Sequence, residues 1–155
     1  LEDAFKFAKM GGTIDLTCGE SESKFHSVAD AVKKAKKEGV PMEKVTMSSD
    51  GQGSWSNYDA EGKLVEIGVS DVDTIYRQIV YMVKEENMDL EELLALGTRN
   101  PAMALELYPK KGAVKEESDA DILIMNEDLS LDTVIAMGVP MMRDGKILKK
   151  GTYEK

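Results

Sequence analysis

Residues 1–49 switch three times between a three-to-four-residue and a two-residue apolar spacing, which constrains the fold more than any other feature. Leu1, Ala4, Phe5 and Ala8 recur at helical spacing, so residues 2–10 predict a helix ended by Gly11-Gly12. Thr13-Ile14-Asp15-Leu16-Thr17 alternates as a short strand closing at Cys18-Gly19. Polar residues 20–24 read as a loop. Phe25, Val28, Ala29, Val32 and Ala35 then form an apolar stripe against Lys33, Lys34, Lys36 and Lys37. That predicts a helix over 25–37, with cations at the negative end of its macrodipole. Gly39 and Pro41 stop it, and a strand follows over 44–49. Helix, strand, helix, strand with short links is the order of a parallel α/β sheet or barrel. Two strands complete neither, so strands beyond these residues are expected. Leu1 already reads as the inside of an uncapped helix, and a chain cut or trimmed from something longer is expected.

Beyond residue 50 the pattern changes. Tyr58–Leu64 reads as a hairpin turned around Ala60–Gly62. Ser70-Asp71-Val72-Asp73 resembles a capping box, with Val72, Ile75, Tyr76, Ile79, Met82 and Val83 on one side of the following helix. Leu90–Leu96 predicts a helix capped by Asp89. Asn100-Pro101 predicts an Asn cap with a first-turn proline, leading a third helix over 102–107. At about Pro109 the character shifts to short apolar runs, 121–125, 133–137 and 139–143, with Asp144-Gly145 as a hairpin signal before Lys146-Ile147-Leu148. Residues 1–108 and 109–155 are therefore expected to be separate units, α/β and antiparallel β.

The net charge of −9 argues against a nucleic-acid partner, because a phosphate backbone demands a basic face. No apolar run approaches a membrane-spanning length, so no membrane partner is expected. Cys18 is the one cysteine. It supports neither a disulfide framework nor a thiolate metal cluster, and reads as an inert residue at a strand end. With no signal-peptide pattern, a cytoplasmic location is expected. The ten methionines read as core filler.

The chemistry gathers at Val45-Thr46-Met47-Ser48-Ser49-Asp50-Gly51-Gln52-Gly53-Ser54. A strand that reaches a carboxylate and breaks into a glycine-rich loop can present that carboxylate at the mouth of an α/β fold. Gly51 and Gly53 let backbone approach a ligand, and Ser54 can donate or accept a hydrogen bond nearby. Asp50 could instead be a turn or cap residue. As a metal ligand it needs histidines or further carboxylates. His26, the one histidine, reads as a surface or packing residue. Asp15 could line the same cavity or serve as a structural acceptor, and Arg99 reads as solvent-facing or packed on a helix.

The run Ser48-Ser49-Asp50-Gly51-Gln52-Gly53-Ser54 closely resembles the segment of isoaspartyl (β-aspartyl) dipeptidases that holds their last metal-ligand Asp. Gly11–Thr17 is similar to the preceding strand of those enzymes. Gly112-Ala113-Val114 and Ser118–Met125 resemble the wider amidohydrolase hallmark, and Asp144-Gly145-Lys146 with Lys150–Glu154 also fit. The resemblance implies the C-terminal part of a (β/α)8 metal-dependent hydrolase barrel over 1–108, plus strands of a small β-sandwich over 109–155. It implies a hydrolase, a zinc metalloprotease cleaving small β-aspartyl dipeptides. Asp50 would ligate one of two zinc ions and carry a proton from the bridging hydroxide to the leaving amine. Ser54 would contact the dipeptide, with Gly51 and Gly53 shaping the loop. The other ligands would lie upstream of Leu1, so these 155 residues alone are expected to be inactive. Exposed strand edges would favour a homo-oligomer. A dihydroorotase-like or deacetylase-like amidohydrolase shares the Asp and the hallmark, although Ser54 and the Gly-Gln-Gly loop favour the dipeptidase. A non-catalytic folded module, with Asp50 structural, is the reading outside the family.

Overall fold

In the computed structural model, residues 1–19 and 21–151 are described. Thr152, Tyr153 and Glu154, part of the expected closing motif, lie outside them. The order begins α1 (Glu2–Lys9), β1 (Ile14–Thr17), α2 (Glu22–Lys37) and β2 (Val45–Ser48). β1 and β2 pair in parallel, with Ile14 opposite Val45 and Thr17 opposite Ser48. A strand alternates its side chains, so this register gives the pair two unlike faces. Ile14, Val45 and Met47 are buried among Phe5, Ala8, Val28, Ala29, Val32 and Ala35 from α1 and α2. Asp15 and Thr17 occupy the other face and are exposed. Fully burying a side chain such as Phe5 is worth about 1.5–3 kcal/mol, and the α1, α2 and β2 stripes meet in one cluster.

The chain then leaves the parallel pair for a hairpin, β3 (Ser54–Tyr58) and β4 (Leu64–Val69). Asp59 closes it: one of its carboxylate oxygens accepts from the N–H groups of Glu61 and Lys63, at 3.1 and 2.7 Å. Three helices return to the core: α3 (Thr74–Lys84), α4 (Leu90–Gly97) and α5 (Arg99–Ala104). Ile79, Met82, Leu93 and Leu96 complete the cluster.

Several local expectations are corrected. The loop expected over 20–24 is shorter, because Ser21 accepts from the Lys24 N–H and α2 starts at Glu22. The capping box at Ser70 does not form. The Ser70 N–H is instead given to the Gly53 carbonyl, and α3 starts only at Thr74. Asn100 is not an N-cap but an α5 residue. It is buried, and its amide donates to the carbonyls of Met42 and Val45 at 2.7 and 2.8 Å. Fastening α5 to the entry of β2 by a buried side chain won over capping, a tertiary contact that local spacing cannot show. The Asp89 cap forms as expected, accepting from the Glu92 N–H at 2.9 Å.

Residues 122–147 form a four-stranded antiparallel sheet, β5 (Ile122–Met125), β6 (Leu131–Ala136), β7 (Val139–Arg143) and β8 (Lys146–Ile147), in that order. Two two-residue turns make its last hairpins. Asp144-Gly145 is the one expected, and Met137-Gly138 makes the same left-handed turn with φ of 50° and 76°. Gly112, just before the sheet, has φ of 74°, and a Cβ there would lie 2.9 Å from the Thr98 carbonyl oxygen. Only glycine fits that approach. Lys111 pairs with Asp119 and Asp121, and Asp121 also accepts from the Met137 N–H at 2.7 Å. This latch ties the segment after α5 to the sheet. Tyr76 adds a second tie, its hydroxyl donating to the Leu129 carbonyl at 2.8 Å.

Candidate functional site

Parallel pairing brings the C-terminal ends of β1 and β2 to one rim, where Thr17-Cys18-Gly19 and Ser48-Ser49-Asp50 sit side by side. The Cys18 N–H extends the ladder to the Ser48 carbonyl at 2.8 Å. The loop after β2 is anchored by backbone. The Gly53 N–H returns to the Asp50 carbonyl, and Gln52 and Gly53 exchange bonds with Ser70 at the end of β4, each at 2.8 Å. Asp50 and Gln52 take positive φ, 50° and 65°, as this tight return requires. Thr74, fully buried, donates to the Ser49 carbonyl at 3.3 Å and fixes the start of α3 to the same rim.

A cavity of about 540 Å³ opens here. Thr17, Cys18, Gly19, Ser21 and Lys24 form one wall. Asp50, Ser70 and the hairpin residues Trp55, Asn57 and Glu66 form the other. Asn57 and Glu66 face each other across the hairpin, the Asn57 amide donating to Glu66 at 3.1 Å. Trp55 lies over Gly68, where an added Cβ would fall 2.1 Å from its ring, so the glycine makes room for the indole. A second cavity, about 180 Å³, lies between α2, the turn Met42–Lys44 and α4. It is bounded largely by Val32, Met42, Met88, Leu93 and Leu96, and is a packing gap between helices rather than a chemical site.

Asp50 stands in the cavity wall with its side chain exposed. A Cβ on Gly53 would lie 2.6 Å from an Asp50 carboxylate oxygen, so this glycine admits the carboxylate. Gly51 is closed in by Ser49 Oγ and by Val72 in the same way. Gly51, Gly53 and Ser54 thus shape and continue the Asp50 loop without forming the cavity wall. Asp15 is a structural acceptor. Thr46 and Ser48 donate to its two oxygens at 2.8 and 2.5 Å, which ties β1 to β2. Cys18 is buried, and burial pushes its thiol up to about 12, with the Asp15 charge adding and the Lys24 charge opposing. Burial therefore favours the protonated thiol over the thiolate that a nucleophile needs. His26 lies on the outer side of α2 in a hydrogen bond of 2.7 Å with the Tyr81 hydroxyl. Glu86, salt-bridged to Lys33, neighbours both. Arg99 is exposed.

The donor set does not fit a resident metal on these residues alone. Among the described residues no three His, Cys, Asp or Glu side chains converge, and Asp50 contributes a single carboxylate. Lys24, Trp55, Asn57 and Glu66 were not candidates from the sequence. One signal was available for the hairpin members: alternate positions 55 and 57 share a strand face and oppose 68 and 66.

Residues 3–148 match the amidohydrolase family, and the chain belongs to it, a family of hydrolases. Its architecture is a part of an amidohydrolase barrel joined to antiparallel β strands. Within the family the chain is similar to a dipeptidase. The crystal structure of beta-aspartyl dipeptidase from Fervidobacterium islandicum AW-1, in complex with beta-Asp-Leu dipeptide, is 35% identical with a TM-score of 0.82. The match covers 99% of this chain and 39% of that one, so the chain spans about two fifths of its relative's length. A second structure of the same dipeptidase is 32% identical over 99% of this chain and 37% of that one, with a TM-score of 0.72. N-acetylglucosamine-6-phosphate deacetylase from Pasteurella multocida shares the fold at 19% identity and a TM-score of 0.57, over 74% of this chain and 34% of that one.

Proposed function

We propose that the protein carrying this chain is a β-aspartyl dipeptidase and that Asp50 is its proton carrier. The supporting observation is the place of Asp50. Its carboxylate stands exposed at the C-terminal rim of a parallel strand pair, in a chain 35% identical to a dipeptidase crystallised with β-Asp-Leu. In parallel barrels that rim is where reacting groups are gathered. A carboxylate there can take a proton from an attacking water and deliver it to the leaving amine. The backbone bonds of Gly53, Gln52 and Ser70 hold it in place for both transfers.

Zinc belongs to the same proposal, with Asp50 as one ligand. The remaining donors must come from residues other than those described, since none converge with it. A homo-oligomer is also proposed, supported by the edge strand β5, whose Leu123 and Ile124 side chains are exposed. The test is hydrolysis of β-Asp-Leu by the zinc-loaded protein at its encoded length, followed by amine release. Turnover is expected, with α-Asp-Leu far slower. Absence of turnover would sink the reading. The 155 residues alone are expected to release no more amine than a metal blank, and release above it would show that the chain is self-sufficient.

A further inference from the structure

We propose that Thr74 is a positioning residue for Asp50, its buried hydroxyl holding the peptide group from which the carboxylate is aimed. This inference rests on the dipeptidase reading. Asp50 sits in left-handed backbone, with φ of 50°. A residue other than glycine is strained in that region and keeps it only where its surroundings hold it. The peptide after Asp50 is held within the loop, where the Asp50 carbonyl accepts from the Gly53 N–H at 2.8 Å. The peptide before it is held from outside the loop. Its carbonyl, that of Ser49, accepts from the Thr74 hydroxyl at 3.3 Å. Rotating that peptide plane changes the Asp50 φ, and with it the direction of the carboxylate.

Thr74 is placed for such a role. It is the first residue of α3 and is fully buried. A hydroxyl there has to find an acceptor inside the protein. Two carbonyls lie within reach, those of Asp71 and Ser49, each at 3.3 Å. The Asp71 contact, three residues back, is the local bond that Ser and Thr often make to backbone. The Ser49 contact spans 25 residues, and it exists because the start of α3 is seated on the Asp50 loop. Val72 shows the same seating: a Cβ on Gly51 would fall 3.3 Å from Val72 Cα. α3 is in turn anchored in the core through Ile79 and Met82. Thr74 thus joins the loop that carries the carboxylate to a packed helix. A group that takes a proton from one atom and gives it to another needs such support, because small misplacements cost rate.

The experiment measures β-Asp-Leu hydrolysis by the zinc-loaded protein at its encoded length. Thr74→Val removes the hydroxyl and keeps the shape. It is expected to lower kcat about tenfold, the scale of one hydrogen bond, with KM held within about twofold. Thr74→Ser keeps the hydroxyl and is expected to restore most of the kcat. Rates are expressed per folded molecule, counted by circular dichroism. The deciding step is a double-mutant cycle with Asp50→Asn. Thr74→Val is expected to have little further effect in that background, because an amide that accepts and delivers no proton has nothing to aim. A residue that only supports the fold would lower kcat by the same factor in both backgrounds, or lower the melting temperature and leave kcat alone. Either result overturns the proposal, as does a Thr74→Ser that fares no better than Thr74→Val. Should Thr74→Val not fold, Thr74→Ala takes its place in the same cycle, with the same outcomes deciding. Failure of the wild type to cleave β-Asp-Leu at all would instead remove the dipeptidase reading, and this inference with it.

Discussion

Strands β2 and β4 invite comparison because their sequences suggest the opposite of their surroundings. Val45-Thr46-Met47-Ser48 is short and half polar, yet its first three residues are buried. Leu64-Val65-Glu66-Ile67-Gly68-Val69 is the more apolar run, yet Val65 and Ile67 are 60% and 63% exposed. The difference lies in what covers them. β2 is paired with β1 and overlaid by α4 and α5, with Asn100 fastened to the Val45 carbonyl. Among the described residues β4 is paired with β3 and with no other strand. A strand's hydrophobicity states what it could bury, and the neighbouring layer states what it does bury. The division also has a chemical side. The covered strand holds Asp50 at the rim, and the uncovered hairpin offers Trp55, Asn57 and Glu66 as the facing wall.

The largest expected effect tests the rigid side. Asp50→Asn, in the protein at its encoded length, is expected to lower kcat by about a hundredfold or more, the scale of a lost proton carrier. Asn tolerates the positive φ at this position, so the melting temperature should hold. A near-normal kcat would remove Asp50 from the chemistry.

The next test addresses the contrast itself. Met47→Ala in β2 opens space in the core and is expected to cost about 2–5 kcal/mol in denaturant unfolding. Ile67→Ala in β4 is expected to stay within about 0.5 kcal/mol. If Ile67→Ala costs as much as Met47→Ala, β4 is covered in solution by another surface, and the comparison fails.

The smallest effect concerns the latch before the antiparallel sheet. The Lys111 ammonium first, and then the Met137 N–H, hold the Asp121 carboxyl below its usual value. Asp121 and Asp119 in turn hold Lys111 above its own. A lowered carboxylate contributes stability that is present above the unfolded value, about 4, and lost as pH falls through the folded one. A raised lysine contributes below its unfolded value, about 10, and loses it as pH rises through the folded one. The latch is therefore whole between these limits. Hydrogen-exchange protection of the Met137 amide, corrected for intrinsic rates, is expected to fall below about pH 4 in the wild type. Asp121→Asn should flatten that dependence. The pair is exposed and screened by solvent, so the change is small. An unchanged profile in the variant would show that the latch does not hold the sheet.

Much of the local order was legible in the residues. The stripes of α1 and α2, the alternation of β1, the Asp89 cap and the Asp144-Gly145 turn each act within a few residues, where backbone geometry and side-chain period do the specifying. Met137-Gly138 escaped notice because its left-handed turn rests on a methionine, a residue that carries no turn signal. Ser70 and Asn100 misled for another reason: each looks like a helix cap. Their hydrogen-bonding groups were claimed by residues far along the chain, Gly53 in one case and Met42 with Val45 in the other.

The candidate site divides along the same line. Asp50 and its glycines could be named from one ten-residue stretch, because strand, carboxylate and flexible loop are contiguous there. Local pattern also carried the α/β order and the antiparallel tail. The opposite wall could not be read in this way. Lys24, Trp55, Asn57 and Glu66 come from three elements and meet Asp50 only through parallel pairing and the return of the hairpin. Packing likewise decided that the polar β2 is buried and the apolar β4 is not. Periodicity reports how a segment could use its faces. Which face is filled depends on contacts between distant segments, and those exist only once the chain has folded.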